Sequence, residues 1–150
     1  VIERIVDEAN AAYNHEAVGC MRMMTDLTRE YAKTRQQFGK PIATFQVLQH
    51  RMVDMFMAAE ESYSMALRAT IKLHESDEER AKAVSAAKVS IGKHSRFVGQ
   101  AAVQIHGGMG VTDEMRVGHY FKRTTMLDAT FGNVDYHLRR FTALNQKSAA

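Results

Sequence analysis

The chain has 150 residues, enough for one domain that buries about two-thirds of the surface its unfolded form exposes. Its 45% hydrophobic and 25% charged residues are typical of a soluble globular protein, and no apolar run approaches the roughly 18 residues that a membrane span requires. The net charge is +3, and the basic residues are scattered, which argues against nucleic-acid binding. The single cysteine, Cys20, lies on an apolar helical stripe, which predicts a small buried thiol and a reducing compartment.

Apolar residues recur every three or four positions along most of the chain, which is typical of amphipathic helices. One proline and nine glycines leave long segments uninterrupted. The pattern predicts helices over 2–37, 45–74, 77–106, 113–127 and 133–147. We therefore expect residues 1–150 to form a single all-α domain, a four-helix up-and-down bundle with an extra short helix.

The first three helices have well-defined predicted faces. The residues expected to point inward are Ile5, Ala9, Ala12, Tyr13, Val18, Met21, Met24, Leu27, Thr28 and Tyr31 in the first; Phe45, Leu48, Met52, Met55, Phe56, Ala59, Tyr63, Ala66, Leu67 and Ile71 in the second; and Ala81, Val84, Ala87, Ile91, Phe97, Val98, Ala101, Ala102 and Ile105 in the third. Small residues dominate the third helix, which predicts close packing, and Gly19 predicts a close crossing of the first. Ser76 begins a capping box that opens the third helix.

The corner between the first two helices reads TRQQFGKPIATFQ over residues 34–46. Gly39 is expected to take a positive φ and end the first helix, and Thr44 is expected to cap the second. Arginine binds phosphate bidentately and an aromatic ring packs on flat ring systems, so this corner suits a ligand with phosphates and a heterocycle. The alternative is a plain helical corner with a solvated arginine. The side chains that the corner is expected to project are Arg35, Gln37, Phe38 and Gln46.

A second corner, QIHGGMG over residues 104–110, follows the third helix. Its three glycines allow the backbone to turn sharply and to approach a ligand closely. The next helix is predicted to start at Thr112 and to offer amide donors to an anion. The alternative for this stretch is a tight turn without a ligand.

The two corners occur in a fixed order, first R-x-Q-F-G-x-P-I-x-x-F-Q and then Q-x-H-G-G-x-G-x-T. A basic helix that ends near F-G follows them. This arrangement resembles the C-terminal helical domain of the acyl-CoA dehydrogenases over residues 16–140. The resemblance implies that the chain, which begins at Val1 without Met, is part of a longer enzyme whose N-terminal helical and middle β domains are absent. Such enzymes remove a proton from Cα of an acyl-CoA with a carboxylate while the flavin takes a hydride from Cβ, and they pass electrons to an electron-transferring flavoprotein.

The resemblance also implies FAD as the cofactor, bound between subunits of a homo-oligomer, a dimer or a tetramer. The arginine would bind the FAD pyrophosphate of a neighbouring subunit, and the following amide and ring would contact the flavin. The second corner would hold the adenosine and pyrophosphate part. The implied cofactor-binding residues are Arg35, Gln37, Phe38, Gln46, Gln104, Ile105, His106, Gly107 and Gly108.

The catalytic base is the point at which the resemblance fails. The position of the usual glutamate, before Gly132, is occupied by Phe131, which cannot accept a proton. Some members place the base on the first helix, where Ala9 aligns and Glu8 is adjacent; Glu16 is another carboxylate near that face. Three explanations stay open: a base on the first helix, the non-catalytic subunit of a heteromeric enzyme such as a heterotetramer, or a paralogue without the reaction. We expect the chain alone to be inactive.

Two other classes of protein are also built as helical bundles. None of the seven histidines has a glutamate three residues before it, so the pattern of a carboxylate-bridged di-metal bundle is missing and no metal is expected. A helical interaction module without cofactor is the remaining alternative, and a colourless monomer would favour it. For the dehydrogenase, the expected compartment is the bacterial cytoplasm or the mitochondrial matrix.

Overall fold

The computed structural model describes residues 1–148, which form a bundle of helices. The helices are α1 (Ile2–Thr34), α2 (Gln46–Ile71), α3 (Asp77–His106), α4 (Arg116–Ala129) and α5 (Val134–Ser148). Helix α3 contacts the other four, and α1 also contacts α2 and α4, so α3 lies at the centre of the bundle. The predicted all-α architecture is confirmed.

The connection between α1 and α2 differs from the prediction. Helix α1 ends at Thr34 because the next residues form a small antiparallel hairpin, with β1 (Gln36–Gln37) paired to β2 (Lys40–Pro41). The two residues of its loop, Phe38 and Gly39, have φ values of 54° and 77°, as a tight two-residue hairpin loop requires. Gly39 therefore has the predicted positive φ, but at a hairpin tip and not at a helix end.

The cap predicted for α2 and the start predicted for α4 are also wrong. A 3₁₀ turn, Ile42–Thr44, precedes α2, and the Thr44 hydroxyl donates to Pro41 O at 2.8 Å, so it does not cap the helix. A second 3₁₀ turn, Gly107–Val111, follows α3, and the Thr112 hydroxyl donates to Met109 O at 2.9 Å. Helix α4 begins only at Arg116, so its first amides do not lie at Thr112 as expected.

Helix α3 begins as the sequence predicted. A 3₁₀ turn, Lys72–His74, precedes it, and the Ser76 hydroxyl accepts a hydrogen bond from the Glu79 amide at 3.3 Å. The helix ends at His106, where Gly107 takes a φ of 63°. Both ends of α3 are therefore set by the residues that the sequence marks.

The core lies along the inner faces of the first three helices, and Cys20 is buried as predicted. Met21, Met24, Met55, Val84 and Val98 are fully buried. Several residues predicted to point inward lie on the surface instead: Ile5, Ala12, Phe56, Leu67, Ile71 and Phe97. In α1, polar residues occupy the inner face and turn Ile5 and Ala12 outward; these polar residues are Asp7, Asn10 and Asn14. In α2, the inner face is occupied by small residues such as Ala58, Ser62 and Ala69.

The close packing predicted for α3 is confirmed at two of its glycines. A Cβ added at Gly99 would collide with the ring of Phe121 in α4, and one added at Gly92 would collide with Val134 of α5. The close crossing predicted at Gly19 is wrong, because Gly19 is exposed and a Cβ there would meet no atom within 4 Å. Among the helices described in residues 1–148, none combines the length and the hydropathy that a transmembrane span requires.

Candidate functional site

The two corners line one open groove, although they are about 70 residues apart in the sequence. Helices α1 and α3 run in the same direction in an up-and-down bundle, so their C-terminal ends lie together. The groove encloses about 1400 Å³ of space that includes open solvent. Eight of the nine predicted cofactor-binding residues line it: Arg35, Gln37, Phe38, Gln104, Ile105, His106, Gly107 and Gly108.

Gln46, the ninth predicted residue, is the first residue of α2 and is not among the lining residues. Tyr31 and Arg51 line the groove although the sequence reasoning did not assign them to the site. Arg51 lies on the same face of α2 as Val47, four residues earlier, and that helical spacing was the available signal.

The groove carries positive charge that is not neutralised locally. Arg35 and Arg51 line it, and its lining contains no aspartate or glutamate. Within residues 1–148, neither guanidinium forms an ion pair. A guanidinium presents a planar set of donors that matches the oxygens of a phosphate, so the groove favours an anionic ligand.

An exposed aromatic ring stands at the rim of the groove. Phe38 is 90% exposed, and its ring meets that of Phe45 edge to face at 6.1 Å between centroids. The ammonium of Lys40 lies 4.6 Å from the centre of the Phe45 ring. Phe38 also has a positive φ, which costs free energy in a non-glycine residue. Residues with such backbone strain cluster at functional sites.

His106 forms part of the wall of the groove and is only 3% exposed. Its Nδ1 lies 2.8 Å from Ala102 O, which can only accept, so Nδ1 carries the proton. Its ring stacks on that of Tyr31 at 4.3 Å, and the Tyr31 hydroxyl donates to His106 O at 3.4 Å. Burial lowers the pKa of His106 below its usual value, so the ring is neutral at pH 7.

The glycine turn gives the groove a stretch of open backbone. Gly107 and Gly108 are exposed, and a Cβ added at either position would meet no atom within 4 Å. The space beside this backbone is therefore free for a ligand. Gln104, in the last turn of α3, is also exposed at the groove.

The candidate catalytic positions lie elsewhere. Phe131 has a φ of 54° and is 46% exposed, and its ring stacks on that of Tyr13 at 5.8 Å. Glu8 is exposed and pairs with Arg4 at 2.9 Å. Asn10 donates to Phe131 O at 3.4 Å, and Glu8, two residues before Asn10, points to the opposite side of α1.

Glu16 is also occupied by a partner. Its carboxylate accepts two hydrogen bonds from Arg123, at 2.6 and 3.0 Å, which join α1 to α4. The hydrogen bond from this guanidinium lowers the pKa of Glu16, so the carboxylate is a weaker base than a free glutamate. Within residues 1–148 no group of three or more His, Cys, Asp or Glu side chains is placed to hold a metal ion.

Comparison with known proteins gives the family. Residues 4–143 match the model of the acyl-CoA dehydrogenase C-terminal domain. The acyl-CoA dehydrogenase FadE34 of Mycobacterium tuberculosis is 34% identical over 145 residues, which are 96% of this chain and 20% of that protein. The chain therefore belongs to the acyl-CoA dehydrogenase family, in which it matches the C-terminal domain.

Two solved structures are similar over nearly the whole chain. The steroid acyl-CoA dehydrogenase Tcur3481–Tcur3483 superposes with a TM-score of 0.90 and 26% identity, covering 95% of this chain and 39% of that one. PigA with FAD and proline superposes with a TM-score of 0.85 and 26% identity, covering 94% of this chain and 37% of that one. The chain thus spans less than half the length of these relatives.

Proposed function

We propose that this chain is the FAD-binding and oligomerisation domain of a flavin-dependent acyl-CoA dehydrogenase. The observation that carries the proposal is the groove, in which Arg35 and the exposed glycine backbone at 107–108 face one open space. Membership of the family and the likeness to PigA with FAD support it.

The residues of the groove fit the parts of a dinucleotide. Arg35 and Arg51 would bind the pyrophosphate, because both guanidiniums lack an acidic partner among the described residues. The backbone at 107–108 would lie against the adenosine and pyrophosphate part, since no side chain covers it. Phe38 would pack on the flat ring system. FAD, when bound, would supply the hydride acceptor for the reaction.

The groove is open on one side, and we infer that a second copy of the chain completes it. Helix α2, whose first turns line the groove, exposes apolar residues farther along that include Val53, Phe56, Met57 and Ile71. Burial of such residues stabilises association by about 25 cal/mol per Å² of apolar surface. The proposed assembly is a homodimer or homotetramer with FAD shared between chains.

The proposed reaction is α,β-dehydrogenation of an acyl-CoA, with electrons passed to an electron-transferring flavoprotein in the bacterial cytoplasm or the mitochondrial matrix. This chain alone is expected to be inactive, because Phe131 cannot accept a proton and Glu8 is paired with Arg4. A second candidate function follows from Phe131: the non-catalytic subunit of a heteromeric dehydrogenase, in which another subunit supplies the carboxylate.

The test of FAD binding is a titration of the chain with FAD, followed by flavin fluorescence and ultrafiltration. Arg35→Ala should weaken binding about 10- to 100-fold, because a hydrogen bond to a charged group contributes about 1.5–3 kcal/mol. Arg29→Ala is the matched control, since Arg29 is an exposed arginine on α1 that pairs with Asp26 and lies outside the groove. Equal affinities for the two variants would contradict the assignment.

Activity is tested separately with acyl-CoA substrates and a flavin-reducible dye. The chain alone should give no flavin-dependent product. Clear turnover by the purified chain would refute the expected inactivity and would require another base.

A further inference from the structure

The turn between α4 and α5, residues 130–132, is held by buried side chains from three other parts of the fold. Asn10 of α1 and His137 of α5 both contact Phe131 O, at 3.4 and 3.1 Å. Lys88 of α3 donates to Leu127 O and, at 3.0 Å, to Thr130 O. All of these contacts are made to main-chain oxygens of the turn or of the last turn of α4.

Burial of Asn10, Lys88 and His137 costs free energy, because each side chain loses its hydration. Asn10 and His137 are fully buried, and Lys88 is 3% exposed. Burial lowers the pKa of both Lys88 and His137 below their usual values. Hydrogen bonds to the turn compensate for the lost hydration of Lys88 and His137, so the turn is specified from inside the bundle.

The residue that this arrangement presents is itself strained. Phe131 adopts a φ of 54°, and Gly132 follows with a φ of 100°. Asn or Gly would adopt a positive φ at lower cost than a bulky side chain. The Phe131 ring is nevertheless 46% exposed and lies on Tyr13, so the turn holds a large side chain at the surface in a conformation that the residue itself disfavours.

We propose that Asn10, Lys88 and His137 are positioning residues for position 131. They fix the backbone through its carbonyls, and none of their described contacts involves the side chain of Phe131. The location of any side chain at this position is therefore set independently of its identity. The interest of position 131 rests on the proposed function and on the family resemblance, which places here the catalytic carboxylate that Phe131 replaces in this chain.

The experiment uses solution NMR of the 150-residue chain. The readouts are the nuclear Overhauser contacts between the rings of Tyr13 and Phe131 and the hydrogen exchange of the Thr130 and Tyr136 amides. These amides flank the turn and are bonded to Met126 O and Asn133 Oδ1. Lys88→Met removes the donor while keeping the length of the side chain.

Lys88→Met should abolish the ring contacts and should accelerate the exchange of both amides roughly tenfold or more, since the turn carbonyls lose a buried hydrogen-bond donor. His137→Phe should do the same, and His137→Gln, which keeps an amide donor, should restore the contacts. Val84→Ala is the control, because Val84 is fully buried one turn before Lys88 on α3 and its apolar side chain has no donor for the turn carbonyls. Wild-type contacts and exchange in Lys88→Met, or the same losses in Val84→Ala, would overturn the proposal.

A second variant tests whether the conformation of the turn is independent of the side chain at position 131. Phe131→Glu should leave the exchange of the Thr130 and Tyr136 amides within about twofold of wild type, since its carbonyl partners are unchanged. Acceleration equal to that of Lys88→Met would show that the ring, and not the buried donors, holds the turn. No readout involves flavin, so failure here leaves the FAD proposal standing, and loss of FAD binding leaves this one standing.

Discussion

Replacement of Asp7 by Asn tests a buried ion-pair cluster that joins α1, α3 and α5. Asp7 is fully buried and accepts from Arg140 at 2.6 and 3.2 Å and from Arg80 at 3.3 Å. Removing one partner of a buried ion pair costs about 3–5 kcal/mol, because the remaining charge stays buried and unpaired. Arg80 keeps Asp77 at 2.7 Å, so the cost falls mainly on Arg140, and we expect the lower end of the range.

The expected loss of about 3 kcal/mol is a large part of the 5–15 kcal/mol that stabilises a typical domain. Urea unfolding followed by circular dichroism measures it as a shift of the midpoint with an unchanged slope. Asp26→Asn is the control: Asp26 pairs with Arg29 at 3.3 Å with both side chains 57% exposed, so the change should be under about 0.5 kcal/mol. If Asp7→Asn lowered the free energy of unfolding by less than about 1 kcal/mol, the buried ion pair would not stabilise the fold as its geometry implies.

Two further predictions concern packing and pH. Gly99→Ala should destabilise the chain by about 1–3 kcal/mol, because the new Cβ would collide with Phe121. Gly19→Ala should stabilise the chain by about 1 kcal/mol, because Gly19 lies in open space on an exposed helix face. Thermal unfolding of both variants checks that the two changes have opposite signs. Burial lowers the pKa of His137 from 6.5 to about 4, so the unfolded chain binds this proton at a higher pH than the folded chain does. The stability due to neutral His137 is therefore present above pH 6.5, and the free energy of unfolding should fall by roughly 2–3 kcal/mol between pH 6.5 and 4.5. In urea unfolding, His137→Gln should remove this dependence of the free energy of unfolding on pH.

The fold was largely predictable because helical periodicity is a local property of the sequence. The ends of α3 were predicted from Ser76 and from Gly107, each of which acts on its immediate neighbours. The inner face of α1 near its start was not predictable in this way. Asp7 is polar, and its guanidinium partners lie 73 and 133 residues away, so hydropathy alone gave no reason to place it on the inner face.

The candidate site was predictable to a similar extent. The motifs contain the residues of each corner, and the parallel direction of the first and third helices brings the corners together. Arg51 was missed because it lies inside α2, beyond the first motif. The hairpin at 36–41 was missed because the helical pattern of α1 continues in the sequence past Thr34, where the structure ends the helix.

The groove and the turn at 130–132 lie at different levels along helix α1. Tyr31 borders the groove, and Tyr13 carries the ring of Phe131. The two tyrosines are eighteen positions apart on α1, which corresponds to about 27 Å. Residues of the groove and of the turn are thus too far apart in one chain to touch the same chemical group. If both serve a single flavin, they must come from different copies, and FAD binding must strengthen as the chain self-associates, because a ligand that binds only the assembly stabilises it by mass action.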